Sequence, residues 1–212
     1  MKRIVFCDFD ATITIEETFV AILKKFAPEV SGQLIPQMYA KELSLRRGVR
    51  QILESIPASC YPEIIEFSRN KTIRPGFVKF LDFLDTHHAE MVVVSGGLRG
   101  IVEVVMGNLV HRVKSIYAVD VNTTQQYLQI YSEFEGDTEL VAKVEVMKKY
   151  PVDEKIAIGD SITDLNMALQ TPLVFARDRL CHYLDERNKP YVQWQDFFEI
   201  RDYLAQKWKL ER

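Results

Sequence analysis

Short apolar runs alternate along the chain with longer stretches in which apolar residues recur every three or four positions. The short runs predict buried strands, and they occupy residues 4–6, 91–94, 116–121, 155–158, 173–175 and 191–194. The longer stretches predict amphipathic helices. Strands that alternate with helices favour an α/β fold built on a doubly wound, parallel sheet. Alternation over residues 127–131 predicts a β-hairpin arm beside that sheet.

Polar side chains stand at the carboxyl ends of three predicted strands. The first strand is followed by Asp8 and Asp10, the second by Ser95-Gly96-Gly97, and the fourth by Asp160 and Asp164. In a doubly wound sheet these ends lie along one edge, where ligands bind. Carboxylates gathered at a buried edge need a positive partner, and Mg²⁺ together with a phosphate group meets that need.

Each of these motifs also has a purely structural explanation. Asp and Thr after a strand are typical of a turn that caps a helix. Ser95-Gly96-Gly97 fits a phosphate-binding loop, whose N–H groups approach an anion, and equally a tight turn that needs glycine for its backbone angles. Because all three motifs are predicted at one edge, we favour a functional site over three unrelated turns.

Residues 15–73 interrupt the alternation of strands and helices, because they carry helical spacing without a strand pattern. The first of four predicted helices stops before Pro28, and Pro62 opens the fourth. Apolar series over residues 34–45 and 49–56 predict the second and the third. We interpret residues 15–73 as a helical cap folded over the site, and residues 1–14 and 74–212 as the catalytic core.

Composition narrows the classes of partner. The 212 residues carry a formal net charge of −3, which gives no electrostatic reason to expect nucleic acid or an anionic membrane surface. The three cysteines form no CxxC pair, so we expect reduced thiols. No apolar run approaches the length of about 18 residues that a membrane span needs. We therefore expect a cytoplasmic protein, and a homodimer is compatible with the sequence.

The motifs, taken in order, resemble those of the haloacid dehalogenase superfamily of phosphotransferases. The segments that carry the resemblance are Asp8-Phe-Asp10-Ala-Thr12, Ser95-Gly-Gly97, Lys143 and Gly159-Asp160-Ser-Ile-Thr-Asp164. A helical insertion directly after the first motif is similar to the C1-capped, phosphoserine-phosphatase-like branch. The resemblance implies a Rossmann-like core and Mg²⁺-dependent hydrolysis of a phosphomonoester. Ala11 stands where glycine is commoner, and its small size leads us to expect little effect.

The resemblance also implies roles for the first motif. Asp8 would be the nucleophile that forms an aspartyl-phosphate, while Asp10 would protonate the leaving alkoxide and then activate water. Mg²⁺ would be the cofactor, held by the carboxylates of Asp8 and Asp160 and by the backbone carbonyl of Asp10. We place Thr12, at the end of the motif, among the residues that bind substrate.

The later motifs imply how the phosphate is held. Ser95-Gly96-Gly97 would contact phosphoryl oxygens, and Lys143 would offset charge in the transition state. Asp164 would orient Lys143 or a metal-bound water. Other lysines within residues 148–155 compete for the role of Lys143, which we favour because it stands at a predicted helix start.

Within the predicted cap, two residues are candidates for reading a small phosphorylated metabolite. Glu17 lies nine residues after Asp8, where phosphoserine-specific relatives are similar in carrying a glutamate that binds the substrate amine. Arg46 is placed to reach a substrate oxygen, although a solvated helix face is the alternative for this arginine. Residues 25–28, 45–49 and 176–178 instead resemble another group of metabolite phosphatases in the branch. Some relatives in that group carry a cysteine cluster before the lysine, and this chain does not.

Two other classes of protein use part of this pattern. A receiver-type signalling domain also has a strand-end aspartate, Mg²⁺, a hydroxyl group and a lysine, but the predicted cap and the second aspartate of the first motif argue against it. A catalytically silent protein that binds a phosphate ligand is the other alternative. It is disfavoured because every catalytic position of the motifs is filled.

Overall fold

Seven strands form one sheet through the middle of the protein. They are β1 (Arg3–Cys7), β2 (Ala89–Leu98), β3 (Ser115–Asn122), β4 (Gln129–Tyr131), β5 (Glu154–Gly159), β6 (Leu173–Ala176) and β7 (Val192–Gln193). Their order across the sheet is β4-β3-β2-β1-β5-β6-β7. The structure, a computed structural model, describes residues 1–210. All six predicted strands are present, which confirms the α/β fold.

Strand β1 lies at the centre of the sheet and is parallel to both neighbours. Val5 is opposite Met91 of β2 on one side and opposite Ile156 of β5 on the other. The chain thus winds outward from β1 in two directions, and ligands bind such sheets at the carboxyl ends where the winding reverses. The predicted hairpin arm is β4, which pairs antiparallel with β3 at the edge of the sheet.

The described residues form ten α-helices around the sheet. Four lie within residues 15–73: α1 (Thr18–Phe26), α2 (Pro28–Tyr39), α3 (Leu45–Leu53) and α4 (Tyr61–Ser68). The others are α5 (Phe77–Thr86), α6 (Arg99–Met106), α7 (Lys143–Lys148), α8 (Leu165–Leu169), α9 (Asp178–Asp185) and α10 (Phe197–Leu210). Among the described residues, no helix combines the length and the apolar content that a membrane span needs.

The helices α1 to α4, within residues 15–73, are called the insert below. The chain enters and leaves the insert side by side, since Thr14 and Ile73 form an antiparallel bridge. The apolar series over residues 34–45 was predicted to form one helix, and the structure shows that this prediction is wrong. Helix α2 ends at Tyr39, and a separate helix begins after Ser44, whose hydroxyl accepts the N–H of Arg47.

The second strand differs from its prediction in length. It continues through Ser95-Gly96-Gly97 to Leu98, so the helix α6 begins only at Arg99. Its pairing with β3 shifts, because Val94 is opposite Tyr117 whereas Leu98 is opposite Val119. Two extra residues of β2 therefore bulge out of the sheet at this point. Local pattern did not reveal the bulge, which depends on pairing with a distant strand.

Candidate active site

Three carboxylates and one ammonium group meet at the carboxyl ends of β1 and β5. Oxygens of Asp8, Asp160 and Asp164 lie within 4.8 Å of one another, and all three residues are buried. Lys143, the first residue of α7, donates to Oδ1 of Asp8 at 2.5 Å and to Oδ1 of Asp164 at 2.6 Å. The structure therefore brings together residues from three separate segments.

Asp164 is held entirely by the protein. Its Oδ2 accepts the N–H groups of Asp160 at 2.9 Å and Ser161 at 3.1 Å, while its Oδ1 accepts from Lys143. A Cβ on Gly159 would lie 2.4 Å from Cγ of Asp164, so a side chain at residue 159 would displace this carboxylate. Asp164 has no exposed surface, and its hydrogen bonds fix Lys143 and the backbone of residues 160 and 161.

Burial and mutual repulsion set the protonation of the cluster. Burial, with the Asp164 charge added, raises the pKa of Asp8 to about 6 against the opposing effect of Lys143. Burial and the charges of Asp8 and Asp164 also raise the pKa of Asp160. Burial alone would lower the pKa of Lys143, but the Asp164 and Asp8 carboxylates outweigh it and raise that pKa. Lys143 is thus a permanent cation.

One ammonium group does not balance the negative charge of three carboxylates, and a bound metal ion would neutralise the excess. Unpaired buried charge is strongly unfavourable. Carboxylate oxygens gathered within 4.8 Å of one another are the hard ligands that Mg²⁺ takes. The donor set therefore fits a divalent cation.

Asp10 lies between the cluster and the insert. Its Oδ1 accepts the N–H of Thr18 at 2.7 Å and its Oδ2 accepts the N–H of Phe19 at 3.0 Å, both in the first turn of α1. Burial nevertheless raises the pKa of Asp10 to about 7, since it outweighs these two hydrogen bonds. A carboxyl group with this pKa can both give and take a proton near neutral pH.

The bulge of β2 forms another wall of the site. Ser95 is buried, and its Oγ accepts the N–H of Gly97 at 3.0 Å. Ser95, Gly96 and Gly97 all line the same cavity as Asp8. A Cβ added to Gly96 would meet no other atom within 4 Å. The space beside this residue is therefore open, and a ligand can approach its backbone closely.

Two predicted substrate residues lie outside the cavity. The hydroxyl of Thr12 is fully buried and donates to Oδ1 of Asp160 at 3.0 Å, so it orients that carboxylate. The guanidinium of Arg46 is bound to Glu135 at 2.5 Å and does not line the cavity, because its face of α3 turns toward the loop after β4. Glu17 does line the cavity, where it pairs with Arg179 of α9 at 3.2 Å.

Ala11 adopts a left-handed backbone conformation with φ of 58°. Glycine is commoner at this place of the motif because of its backbone freedom, and the small size of alanine does not replace that freedom. The expectation of little effect rested on size alone. The left-handed backbone implies a local strain of about 1 kcal/mol, and the expected effect on the whole protein stays small because glycine would add entropy of similar size to the unfolded chain.

A cavity of about 520 Å³ opens from the cluster toward the insert. Its far wall consists largely of apolar side chains from the insert and from the segment before α7. They are Phe19, Val20, Leu23, Ile35, Met38, Leu43, Leu45, Val49, Leu140 and Val141. Sequence reasoning counted several of these residues only as helix-forming apolar positions. Helical spacing marks the apolar faces of a helix without telling which of them covers a cavity.

The fold and this site agree with a family match. The sequence profile of the haloacid dehalogenase-like hydrolases matches residues 5–169. This segment contains both strand-end aspartate motifs, the β2 bulge and Lys143. The chain therefore belongs to the haloacid dehalogenase-like hydrolase family.

Similar proteins narrow the class further. The chain is 54% identical over 206 residues to a protein of Microcystis aeruginosa called 2-hydroxy-3-keto-5-methylthiopentenyl-1-phosphate phosphatase, covering 96% of this chain and 98% of the relative. It is 32% identical over 208 residues to a protein of the same name from Bacillus cytotoxicus, covering 94% of each.

Solved structures support the fold. A phosphoserine phosphatase from T. onnurineus superposes with a TM-score of 0.73 at 16% identity, covering 96% of this chain and 94% of that one. A phospho-aspartyl intermediate analogue of phosphoserine phosphatase gives a TM-score of 0.69 at 18% identity, covering 95% and 98%. Both likenesses concern the fold.

Proposed function

We propose that this protein hydrolyses 2-hydroxy-3-keto-5-methylthiopentenyl-1-phosphate, through an aspartyl-phosphate formed on Asp8. The observation that carries the proposal is the joining of two unlike surfaces in one cavity. Asp8, Lys143 and Asp160 form a charged end suited to a phosphate group. The insert provides an apolar end suited to a methylthio chain. Relatives at 54% and 32% identity carry the name of this activity.

In the first step, an oxygen of Asp8 attacks phosphorus and the bond from phosphorus to the substrate oxygen breaks. The leaving alkoxide takes its proton from Asp10, whose pKa of about 7 keeps a large protonated fraction near neutral pH. Lys143 and the N–H groups of the β2 bulge stabilise the negative charge on the phosphoryl oxygens. After this step the phosphoryl group is bound to Asp8, and the rest of the substrate leaves as an alcohol that carries the proton from Asp10.

In the second step, water attacks the phosphorus of the aspartyl-phosphate and gives a proton to Asp10. The bond between phosphorus and the Asp8 oxygen breaks, which restores both carboxyl groups and releases inorganic phosphate. Asp10 can reverse its role because its two hydrogen bonds to α1 hold it in one place through both steps. Because the Asp10 carboxyl group is already held in position, less entropy is lost on reaching each transition state.

Mg²⁺ is the cation that we assign to the acidic cluster, with Asp8 and Asp160 as side-chain ligands and the Asp10 carbonyl as a further one. When bound, it lets an anionic nucleophile approach an anionic phosphate. Thr12 holds Asp160 in place for this purpose. The insert acts as the cap of the enzyme, since it provides the apolar wall and also fixes Asp10.

Phosphoserine is the second candidate substrate, and Glu17 is the observation in its favour. This carboxylate lines the cavity, as an amine-binding residue would. It is, however, paired with Arg179 at 3.2 Å, and Arg46 is held away by Glu135. The cavity wall is otherwise mostly apolar, which disfavours a zwitterionic serine head group.

Phosphate release from a panel of metabolites with Mg²⁺ tests the proposal. The panel includes the methylthiopentenyl phosphate, generated enzymatically, together with phosphoserine and a simple aryl phosphate. We expect the methylthiopentenyl phosphate to have a kcat/KM at least about 100-fold above that of phosphoserine, as the loss of apolar contacts and burial of a charged head group together imply. A preference for phosphoserine would overturn the substrate assignment.

Asp8→Asn is the control for the mechanism. We expect turnover to fall by about 1000-fold or more, because an amide oxygen is a poor nucleophile toward phosphorus. Asp202→Asn, which changes an exposed partner of Arg201 on α10, is expected to leave turnover unchanged. Turnover that survives Asp8→Asn would exclude the assigned nucleophile. In the parent protein, an aspartyl-phosphate that persists without hydrolysis would favour a signalling role.

A further inference from the structure

Arg74 is a buried cation that the reaction does not use. It returns the chain from the insert to α5 and has only 6% of its surface exposed. Among the described residues, no carboxylate forms an ion pair with it. Burial and the nearby charge of Arg177 lower the pKa of Arg74, so the protein keeps it in an unfavourable environment. Such a charge needs a compensating set of hydrogen bonds.

Those hydrogen bonds go to the loop that follows Asp8 and Asp10. The guanidinium donates to the carbonyl of Ala11 at 2.6 Å, to that of Thr12 at 2.8 Å and to that of Thr14 at 3.0 Å. The backbone N–H of Arg74 donates to Ile13 at 2.7 Å. One side chain therefore satisfies three carbonyl groups of a single turn. Only the planar fork of arginine offers donors in several fixed directions.

The loop has hydrogen bonds of its own, since the N–H groups of Thr12 and Thr14 donate to the carbonyl of Phe9 at 3.3 Å and 3.0 Å, but neither of these holds the three carbonyls that Arg74 binds. Ala11 is left-handed, with φ of 58°, and its N–H donates to the hydroxyl of Thr14 at 2.9 Å. Asp10 directly precedes this strained residue, and Thr12 directly follows it with its hydroxyl on Asp160. A change in the direction of the three carbonyls would therefore rotate both the acid and the partner of Asp160.

We infer that Arg74 is a positioning residue for catalysis, which fixes the loop over residues 11–14 and through it the orientation of Asp10 and Asp160. It also fastens the point where the insert meets the core, because Thr14 and Ile73 pair directly beside it. Arg74 is not a catalytic residue itself, since its guanidinium N–H groups donate to backbone carbonyls of the loop.

Arg177 offers a matched control. Its guanidinium lies 5.4 Å from the ring centre of Trp194, the same distance as that of Arg74, and both donate to the carbonyl of Gln195. Arg177 makes no hydrogen bond to the loop within the part of the chain that the structure describes. Arg74→Ala and Arg177→Ala thus remove equal charge from the same tryptophan, but only Arg74→Ala removes the loop contacts, whereas Arg177→Ala removes an ion pair with Asp178 at 2.8 Å.

The test compares Arg74→Ala, Arg74→Lys and Arg177→Ala with the parent protein, using an aryl phosphate so that the result does not depend on the natural substrate. For Arg74→Ala we expect kcat to fall by about 100-fold with KM within about threefold, as for a displaced catalytic group. Arg74→Lys keeps the charge but loses the fork, and we expect at least about a tenfold fall in kcat. Arg177→Ala is expected to stay within about twofold of the parent.

Two readouts separate positioning from a merely structural role. Millimolar guanidinium chloride is expected to raise the kcat of Arg74→Ala by at least about tenfold, whereas sodium chloride at the same concentration leaves it unchanged. Amide hydrogen exchange over residues 11–14 is expected to accelerate in both Arg74 variants and not in Arg177→Ala. The inference rests on the proposed function, and the exchange readout keeps the two apart: faster exchange in the Arg74 variants, with no phosphate-ester hydrolysis by the parent, would contradict the proposed function and leave the contact of Arg74 with the loop in place.

The inference is overturned by a folded Arg74→Lys with parental kcat, or by a loss of activity that matches the unfolded fraction and no more. A loss that appears only in KM, without a guanidinium response, also overturns it. Should Arg74→Ala fail to fold, Arg74→Lys and its exchange pattern decide the question.

Discussion

The two ends of the cavity are built in different ways. The charged end rests on the carboxyl ends of β1 and β5, where Asp8 is hydrogen-bonded across to β5 and Asp164 has every oxygen occupied by the protein. The apolar end comes from helices of the insert, through side chains such as Ile35 and Met38 that are only partly buried. Under the proposed function, the chemistry lies on the buried sheet and substrate selection lies on partly buried side chains of the insert.

Such a division has a physical reason. A charged cluster in a low-dielectric setting loses its function when distances change slightly, so it needs a rigid support. An apolar wall acts through burial of surface, which tolerates rearrangement of side chains. Substitutions at the two ends are therefore expected to differ in size and in kind. Four predictions test this difference, from the largest expected effect to the smallest.

Lys143→Met removes the cation of the charged end. We expect kcat to fall by about 100-fold to 1000-fold, because phosphoryl charge loses its stabilising partner. The free energy of unfolding should fall by about 3 kcal/mol, since Asp8 and Asp164 remain buried without the ammonium group that both contact. Steady-state kinetics and urea denaturation measure the two effects. The control is Lys148→Met, whose exposed ammonium pairs with the exposed Glu145, and equal losses in both variants would contradict the assignment.

Gly48→Ala disturbs the apolar end alone. An added Cβ would lie 2.3 Å from Sδ of Met38, so the flexible methionine must move, and because it lines the cavity its displacement changes the apolar wall. We expect KM for the methylthiopentenyl phosphate to rise by about tenfold, while kcat for a small aryl phosphate stays within about twofold.

Gly32→Ala is the matched control for that change, since nothing lies within 4 Å of its Cβ position and it too stands in a helix of the insert. Both variants gain helix propensity, so their difference isolates the displacement of Met38. If the two variants have the same KM values, the apolar wall does not select the substrate.

Mg²⁺ should stabilise the protein more at high pH than at low pH. The folded-state pKa of Asp8 is about 6, above its ordinary value of 3.8, so the metal-free protein binds more protons than the unfolded chain in this window. Its stability therefore falls as pH rises from about 4 to about 6, the window that Asp8 sets. Mg²⁺ binds the ionised carboxylates, and its stabilisation grows as pH rises.

Thermal unfolding with Mg²⁺ and with chelator, measured from about pH 5 to about pH 8, gives the size of the effect. We expect Mg²⁺ to raise the unfolding temperature by a few degrees at about pH 8, and by about half as much at about pH 5, in keeping with ligand linkage. Asp160→Asn should abolish most of the shift. A shift that is independent of pH would argue against a metal held by Asp8 and Asp160.

Ala11→Gly has the smallest expected effect. Relief of the left-handed strain should stabilise the protein by about 1 kcal/mol, less the entropy that glycine adds to the unfolded chain, which is of similar size. We expect kcat within about twofold of the parent and a change in unfolding free energy below about 1 kcal/mol. Urea denaturation measures it, and a destabilisation above that value would show that Ala11 is not strained.

The sequence by itself determined the fold and the charged end of the cavity. Strand patterns, helix starts and strand-end carboxylates are local signals, and a parallel sheet brings the ends of its strands together whatever the loops do. Lys143 was distinguishable from the neighbouring lysines because it stands at a helix start. The homodimer and the cytoplasmic location remain predictions.

Only the tertiary structure decided which side chains face the cavity and which bind each other. Arg46 was a candidate ligand until the loop after β4 placed Glu135 beside it. Arg74 and the apolar wall carried no local signal, because the partners of a guanidinium and the face that a helix buries depend on segments distant in the chain. Periodicity fixes where a side chain lies on its own element, and packing fixes what that side chain meets.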